Sequence, residues 1–284
     1  MARPAILIRL WRVWKWQSAT PSASAAVAPI ALVTGGSRGL GRNAALALAA
    51  DGADIVITYR SQADAARQVV AQIEALGRRA AALPLDVADS GSFAAFADQL
   101  RDTLQGWGAT QLQGLLNNAG EGLYASIAET TPEQFDHAVA VHLKGPYFLT
   151  QALLPLIADG GRILNVSSGL ARFSLPGSSA YAMMKGGIEV FTRYLAKELG
   201  ARGISANTLA PGAIETDFGG GHVRDNAQVN AMVSSITALG RPGLPDDIGP
   251  VVVALLSPCL PRAYSIASAA NSTAVAWLQK SLDR

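Results

Sequence analysis

The sequence predicts an α/β fold built on a single doubly wound parallel sheet of about seven strands, with helices on both faces. Short apolar runs alternate with segments of helical periodicity along most of the chain, which is the order expected when crossover helices connect parallel strands. A glycine-rich turn joins the first apolar run to the first helical segment. Hydrophobic residues make up 50% of the 284 residues and charged residues only 15%, so both faces of one large sheet can be covered.

The elements of the first part of the chain follow this alternation. Ile30–Val33 predicts a short buried strand, and residues 42–50 after the glycine turn are rich in strong helix formers. Residues 54–60 predict the second strand. Residues 63–76 carry apolar side chains at helical spacing, and Gly77 is expected to end that helix.

The alternation continues as far as residue 209. Further strands are expected at residues 80–85, 113–117, 162–166 and 203–209. Helices are expected at residues 90–105, at residues 132–156 with a break near Gly145-Pro146, and from Tyr181 to about Leu199. This alternation predicts a parallel sheet with right-handed crossovers. Because parallel strands run in one direction, their carboxyl ends lie at one edge of the sheet. Ligands bind at that edge in folds of this class.

The glycine-rich turn indicates a phosphate site. It reads Thr34-Gly35-Gly36-Ser37-Arg38-Gly39-Leu40-Gly41. Backbone amides at a helix N-terminus receive phosphate groups, and glycines allow close approach of the backbone. Turns of this kind also serve packing alone, but the strand before the turn and the helix after it are the context of a dinucleotide site. The turn therefore predicts a Rossmann-like fold that binds a dinucleotide.

Two arginines favour NADP(H) over NAD(H) as that dinucleotide. The second strand ends at Tyr59 and Arg60, about where such a fold contacts the adenosine ribose, and Arg38 lies inside the glycine turn. An acidic residue at the strand end would favour NAD(H), whereas guanidinium groups pair with phosphate oxygens bidentately and suit a 2'-phosphate. The alternative is that Arg60 is merely exposed.

A possible proton-transfer site lies further along the chain. Tyr181 and Lys185 are four residues apart, which places them on one face of a helix, and Ser168 lies thirteen residues before the tyrosine. The lysine ammonium favours phenolate over phenol and is expected to lower the pKa of Tyr181 from about 10. Tyr181 would then be a usable general acid or base. The alternative to a proton-transfer site is a structural pair, in which the Tyr181 ring is packed and the Lys185 amine is solvated.

Several motifs follow the order and spacing of one known family, from residue 28 to about residue 258. Besides the glycine turn and the Ser168, Tyr181 and Lys185 set, they are Asp86-Val87, Asn117-Asn118-Ala119-Gly120 and the proline-glycine turn of residues 211–216. The chain therefore resembles the short-chain dehydrogenase/reductase family, and especially its members similar to 3-oxoacyl-acyl-carrier-protein reductase.

This resemblance implies roles for particular residues. Ser168, Tyr181 and Lys185 would be catalytic, with Ser168 orienting the substrate oxygen and Lys185 also holding the nicotinamide ribose. Asp86 and Val87 would contact the adenine. The full set implied to bind cofactor, including the residues of the glycine turn and those bordering the carboxamide, is Gly35, Ser37, Arg38, Gly39, Leu40, Gly41, Tyr59, Arg60, Asp86, Val87, Asn118, Ala119, Gly120, Tyr181, Lys185, Pro211, Gly212, Ile214 and Thr216.

One catalytic position departs from the family pattern. His142 stands where the family usually has an asparagine whose backbone carbonyl anchors a water that leads to the lysine. A side-chain change need not abolish a backbone contact, so His142 is included among the catalytic candidates. The competing interpretation is a buried structural histidine.

The resemblance implies an NADP(H)-dependent oxidoreductase that moves hydride between the nicotinamide and a carbonyl or secondary alcohol. A glycine-rich segment over residues 215–240 would be the substrate lid, where Phe218, Met232 and Ile236 could contact an apolar substrate. The substrate could be a 3-oxoacyl thioester, a sugar, a steroid or a small ketone. A non-catalytic NADP(H)-binding sensor or scaffold is the alternative function, and a homodimer or homotetramer through the helix of Tyr181 is the implied assembly.

Composition excludes several other classes of function. The formal charge is +2, but four of the 23 basic residues lie in the first fifteen positions, so the remainder is slightly acidic and shows no basic face for nucleic acid. The single cysteine, Cys259, excludes an intrachain disulfide and fits a cytoplasmic protein. No histidine and cysteine cluster has metal-ligand spacing, so no metal is expected. No apolar run reaches the roughly 18 residues that span a bilayer.

Both ends of the chain look unlike the centre, so the predicted NADP-binding catalytic domain is residues 29–258. Residues 1–28, with three tryptophans and no acidic residue, are expected to be a disordered extension. A leader included by an early start codon is favoured for it over a mitochondrial targeting peptide or an interfacial helix. Residues 259–284 form an atypical tail in place of the family's last strand, and we expect a frameshift between about Ser257 and Ser268.

Overall fold

The computed structural model describes residues 28–257 together with Thr273–Ala274. One parallel sheet has the strand order β3-β2-β1-β4-β5-β6-β7. Its strands are β1 (Ile30–Val33), β2 (Asp54–Tyr59), β3 (Ala80–Pro84), β4 (Leu112–Asn117), β5 (Ile157–Val166), β6 (Ser205–Leu209) and β7 (Thr273–Ala274). The order reverses between β1 and β4, which is the position where doubly wound sheets open a crevice for ligands. The predicted fold class is confirmed.

Helices cover both faces of this sheet. They are α1 (Gly39–Ala50), α2 (Ala63–Ala75), α3 (Phe93–Gly106), α4 (Pro132–Val139), α5 (Gly145–Leu153), α6 (Ser179–Glu198), α7 (His222–Asp225), α8 (Ala227–Ile236) and α9 (Pro245–Leu256). One buried cluster joins the strands to α3, α5 and α6, and a second joins them to α1, α2 and α9. Burial on both faces explains why the strands are nearly continuous apolar runs.

The long helical pattern of residues 132–156 is interrupted one turn earlier than the sequence predicts. The structure has a π-helix at Ala140–Lys144 between α4 and α5, whereas the break was expected near Gly145-Pro146. Proline is tolerated in the first turn of a helix because its missing N–H has no intrahelical acceptor there. Pro146 is the second residue of α5, in its first turn, and the π-helix lies directly before that helix. Short π-helices occur often at functional sites.

Strand β5 is longer than expected, because it begins at Ile157 and not at Arg162. Its register against β4 shifts between Leu112 and Gly114. This irregularity absorbs the extra residues at the start of the strand, and the pairs from Arg162 onward are regular. The carboxyl ends of β4 and β5 consequently remain level at Asn117 and Asn165, which are partners in the sheet.

Strand β7 has two residues. Thr273 and Ala274 pair in parallel with Thr208 and Leu209 of β6. The position of the doubtful last strand is therefore occupied by Thr273 and Ala274, which belong to the segment on which the frameshift hypothesis was based. The predicted extension at residues 1–28, apart from residue 28, and the other residues of the predicted tail lie outside the described part of the chain.

Asp54 links β2 to β3, the edge strand at the opposite end of the sheet from β7. Its carboxylate is 1% exposed and accepts hydrogen bonds from Arg78 at 2.6 Å and from Nε of Arg79 at 2.7 Å. Both arginines precede β3, so the buried charge joins the start of β2 to its neighbour. A buried carboxylate without such partners would be strongly unfavourable. Among the described residues, no helix is long and apolar enough to cross a membrane.

Candidate active site

A cleft of about 650 Å³ lies at the carboxyl ends of the strands. It brings together nearly every residue that the sequence predicts for the site, from seven separate stretches of chain. Predicted residues that line it are Gly35, Ser37, Arg38, Gly39, Leu40, Tyr59, Arg60, Asp86, Val87, Asn118, Ala119, Gly120, Ser168, Tyr181, Lys185, Pro211, Gly212, Ile214 and Thr216. Gly41 and His142 are not among the lining residues. They support the wall from behind.

The glycine turn is packed closely against the segment that follows β4. Gly35 has φ +65°, and a Cβ on it would lie 3.0 Å from Cα of Ala119. A Cβ on Gly41 would lie 2.2 Å from the carbonyl oxygen of Gly35. The hydroxyl of Thr34 accepts hydrogen bonds from the amides of Asn118 at 2.9 Å and of Ala119 at 3.0 Å. Both glycines are therefore required by backbone approach.

The outer side of the same turn fits a dinucleotide phosphate. Gly39 has φ +55°, and the nearest atom to a Cβ on it is 3.8 Å away, on Thr216. Arg38 precedes α1 and makes no side-chain cap with it. The amides at the start of a helix without a cap need acceptors from elsewhere, and an anion supplies them. The turn thus has the open amides that a phosphate group would occupy.

Arg60 lies at the mouth of the cleft, where it is both exposed and paired. Its Nη1 is 3.4 Å from the Glu121 carboxylate, and more than half of its side chain is exposed. Glu121 also pairs with His137 of α4. An ion pair as exposed as this one contributes little free energy, so it holds the Arg60 guanidinium only weakly. The guanidinium can exchange the carboxylate for a phosphate, which binds bidentately.

Tyr181 and Lys185 lie side by side in the first half of α6, and both are almost fully buried. The ammonium of Lys185 is 5.5 Å from the centre of the Tyr181 ring and donates a hydrogen bond to the carbonyl of Val166 at 2.9 Å. The hydroxyls of Ser168 and Tyr181 share a hydrogen bond. Three of the four side chains predicted to be catalytic, those of Ser168, Tyr181 and Lys185, are therefore brought together.

The expected effect of Lys185 on Tyr181 is corrected by their burial. Desolvation raises the pKa of Tyr181 above its ordinary value, repulsion between its phenolate and that of Tyr124 adds to this, and the hydrogen bond with Ser168 opposes it. Burial also lowers the pKa of Lys185 to about 8. Because both shifts disfavour the charged forms, neutral Tyr181 predominates in this structure. The prediction that Lys185 lowers the pKa of Tyr181 is wrong for this state.

A chain of buried hydrogen bonds holds α6 against the sheet. The side-chain amide of Asn117 donates to Asn165 at 2.8 Å, and that of Asn165 donates to the Thr192 hydroxyl at 2.8 Å. Nearer the cleft, the Ser167 hydroxyl donates to the backbone carbonyl of Lys185 at 3.0 Å. Hydrogen bonds between buried side chains restrict how the elements that carry them can move. The position of Tyr181 relative to Ser168 is therefore set by β4, β5 and α6 together.

His142 lies in the π-helix behind Tyr181. Its ring meets the Tyr181 ring edge-on, with centres 5.3 Å apart, and Nε2 is 2.9 Å from the carbonyl oxygen of Glu121. Desolvation, followed by the charge of Lys185, lowers the pKa of His142 to about 3. The neutral ring therefore donates Nε2–H to Glu121 and supports the loop beyond β4. The role of His142 as a catalytic group stays a prediction.

The substrate end of the cleft is apolar. Phe218, Met232 and Ile236 line it, as predicted for the lid segment. Phe173 lines it as well, whereas Arg172 forms an ion pair with Glu189 of α6 at 3.0 Å. Walls of this composition favour a hydrophobic substrate over a charged one.

Sequence reasoning missed three residues at the site. Thr34 was read only as the start of the glycine turn, although its hydroxyl fixes the turn against the segment after β4. Glu121 and Tyr124 lie in a loop without a motif, and both line the cleft. Only the tertiary contact with Arg60 distinguishes Glu121 from an ordinary surface carboxylate. Within residues 28–257, no group of histidine, cysteine and acidic side chains could hold a metal ion.

Comparison with protein families and curated proteins places this geometry among reductases. Residues 35–262 match the family described as Enoyl-(Acyl carrier protein) reductase. A tetrahydroxynaphthalene reductase, PfmaG of Pestalotiopsis fici, is 33% identical over 239 residues, which cover 80% of this chain and 84% of the relative.

Solved structures with the same fold include two ketoreductases. The promiscuous reductase LugOII, which catalyses keto-reduction at C1 in lugdunomycin biosynthesis, has a TM-score of 0.77 at 36% identity, covering 83% of this chain and 95% of its own. The angucycline C-6 ketoreductase LanV, solved with bound NADP, has a TM-score of 0.77 at 35% identity, covering 82% of this chain and 90% of its own.

Proposed function

This chain belongs to the short-chain dehydrogenase/reductase family of oxidoreductases, and we propose that it uses NADPH to reduce the carbonyl group of an apolar, ring-containing ketone. The observation that carries the proposal is the set of half-buried Ser168 and buried Tyr181 and Lys185, at one end of a cleft whose other end is the glycine turn. Its apolar walls support a ring-containing substrate. The relatives named naphthalene reductase and angucycline ketoreductase support the same class.

The residues present fit a bound NADP(H). The glycine turn would receive its phosphates, Arg38 and Arg60 its 2'-phosphate, and Asp86 with Val87 its adenine. Lys185 would hold its nicotinamide ribose. When bound, the cofactor supplies the hydride that reduces the carbonyl carbon. Ile214 and Thr216, which border the same cleft, would contact its carboxamide.

The protein's own residues would supply the proton and orient the carbonyl. Ser168 donates a hydrogen bond to the substrate oxygen, and Tyr181 transfers its hydroxyl proton to that oxygen as negative charge develops on it. The raised pKa of Tyr181 keeps this proton in place until the substrate needs it. Charged Lys185 stabilises the phenolate that remains. Apolar walls exclude water from the reacting atoms.

Arg60 provides a test of cofactor choice. We expect Arg60→Ala to weaken NADPH binding by roughly ten- to a hundredfold, because a charge-assisted hydrogen bond contributes about 1.5–3 kcal/mol. NADH binding should change less than twofold. Fluorescence titration of the purified protein with each nucleotide measures both. Arg67→Ala is the matched control, since Arg67 is exposed on α2 and pairs with Asp64.

Two results, one from this titration and one from a ketone turnover assay, would contradict the proposal. Equal losses for NADPH and NADH in Arg60→Ala would show that Arg60 does not contact the 2'-phosphate. Tight NADPH binding without turnover of any ketone in the native protein would favour a nucleotide-binding sensor or scaffold over an enzyme.

The pH dependence of reduction should follow Lys185. Because burial lowers the pKa of Lys185 to about 8, its ammonium is present below that pH and is lost as the pH rises through it. We expect kcat/KM for ketone reduction to fall above pH 8, with Tyr181 still protonated there. Initial rates between pH 6 and pH 10 measure the profile. In Lys185→Arg the guanidinium stays charged, so the decrease of kcat/KM above pH 8 should disappear even if the rate is low. A decrease that persists in this variant would be due to another group.

We also propose a homodimer or homotetramer. The large side chains Tyr147 and Phe148 of α5 and Val190 and Tyr194 of α6 are exposed on the surface. Tyr147 contacts both Phe148 and Phe191, so these rings form one aromatic patch. A patch of this kind indicates an interaction surface. The cytoplasmic location stays a prediction.

A further inference from the structure

Tyr124 has an unusual position between the catalytic tyrosine and the lid segment. It follows β4 in a loop without regular structure, lines the cleft, and is 59% exposed. The loop is held in place at the next residue, because the amide of Ala125 donates to the carbonyl of Gly177 at 2.9 Å. An aromatic side chain that remains exposed on an anchored loop is available to a ligand in the cleft.

Two glycines make room for the Tyr124 ring. A Cβ on Gly122 would lie 2.9 Å from Cε2 of Tyr124, and a Cβ on Gly219 would lie 3.0 Å from the same atom and 3.2 Å from the hydroxyl oxygen. Gly219 has φ +61°, a conformation that side chains disfavour. The ring therefore packs on bare backbone of the lid segment, with its hydroxyl at the lid.

Tyr124 and Phe218 are neighbours in the cleft, on the side of Tyr181 that the lid segment covers. The Phe218 ring centre is 6.0 Å from that of Tyr181. A Cβ on Gly122 would lie 2.9 Å from Cε2 of Tyr124 and 3.4 Å from Cε1 of Phe218, so the two rings are close together. Both Tyr124 and Phe218 are exposed within the cleft. Two exposed rings beside the reacting group are suited to a flat apolar ring, since aromatic pairs prefer stacked or edge contacts.

We propose that Tyr124 is a specificity-determining residue that packs, beside Phe218, against a planar aromatic ring of the ketone and donates a hydrogen bond from its hydroxyl to an oxygen substituent on that ring. This inference rests on the proposed ketone reduction and narrows its substrates to hydroxylated aromatic ketones. The ordinary pKa of a tyrosine hydroxyl is about 10, so Tyr124 keeps its donor proton at neutral pH.

The test compares ketones that differ only in aromaticity or in one hydroxyl group. 2-Tetralone and 2-decalone share a carbon skeleton, but only the former has a planar aromatic ring. We expect Tyr124→Leu to lower kcat/KM for 2-tetralone roughly tenfold, because an aromatic contact is lost. The kcat/KM for 2-decalone should change less than twofold. Tyr124→Phe should keep 2-tetralone activity and lose any preference for a ring-hydroxylated tetralone. Ile127→Ala, exposed in the same loop, is the control.

The outcomes separate this inference from the proposed function. Equal loss for 2-tetralone and 2-decalone in Tyr124→Leu, or no loss for either, would overturn the role of Tyr124 while ketone reduction stands. Binding of 1-naphthol to the NADP⁺-loaded protein gives a readout that needs no turnover. Weaker 1-naphthol binding in Tyr124→Leu would support the aromatic contact even if neither ketone is reduced, and unchanged binding would overturn it.

Discussion

Tyr181→Phe is expected to lower ketone turnover by roughly 10²- to 10⁴-fold, the usual contribution of a positioned general acid. The substitution removes one hydroxyl and keeps the ring, so the edge-on contact with His142 and the burial of Lys185 should persist. NADPH affinity should therefore stay within about twofold of the native value, and the loss should fall on kcat. NADPH oxidation under saturating ketone, together with a nucleotide titration, measures both quantities.

Tyr194→Phe is the matched control for this prediction. Tyr194 lies on the same helix, α6, and is exposed on the surface. Its substitution should leave turnover unchanged. Native-like turnover in Tyr181→Phe would contradict the assignment of Tyr181 as proton donor. Loss of both turnover and NADPH binding would show that the hydroxyl is needed for the structure of the cleft.

Gly41→Ala is expected to damage the nucleotide site from behind the cleft. Its new Cβ would stand 2.2 Å from the carbonyl oxygen of Gly35 and 2.6 Å from the side-chain amide of Asn118. The first is a backbone atom that cannot move without displacing the glycine turn. Overpacking of this kind disfavours the native arrangement by roughly 1–3 kcal/mol, and we expect NADPH binding to weaken about ten- to a hundredfold.

Gly106→Ala separates this steric effect from a general effect of replacing glycine. Gly106 ends α3, and a Cβ on it would meet no atom within 4 Å. We expect this variant to bind NADPH like the native protein and to unfold at the same or a higher temperature. Native affinity in Gly41→Ala would mean that the turn is more adaptable than its contacts indicate, and would contradict the prediction.

Much of the fold was predictable because its signals are local. Strand β1 has the predicted bounds of Ile30–Val33, since a short apolar run before a glycine turn has few other interpretations. The break in the helical pattern was also visible near Gly145-Pro146, but its form was not. A π-helix depends on how α4 and α5 pack against their neighbours. Pro146 alone does not predict that packing.

The sequence by itself determined which residues could do the chemistry: the spacing of Tyr181 and Lys185, the glycine turn and the arginines are properties of order along the chain. The tertiary structure decided what state those residues adopt. Burial raises the pKa of Tyr181 and lowers that of Lys185 because desolvation disfavours charge, and no spacing rule reports burial. Folding also brought Tyr124 beside Gly219 of the lid segment, because contacts between distant loops arise only when the sheet assembles.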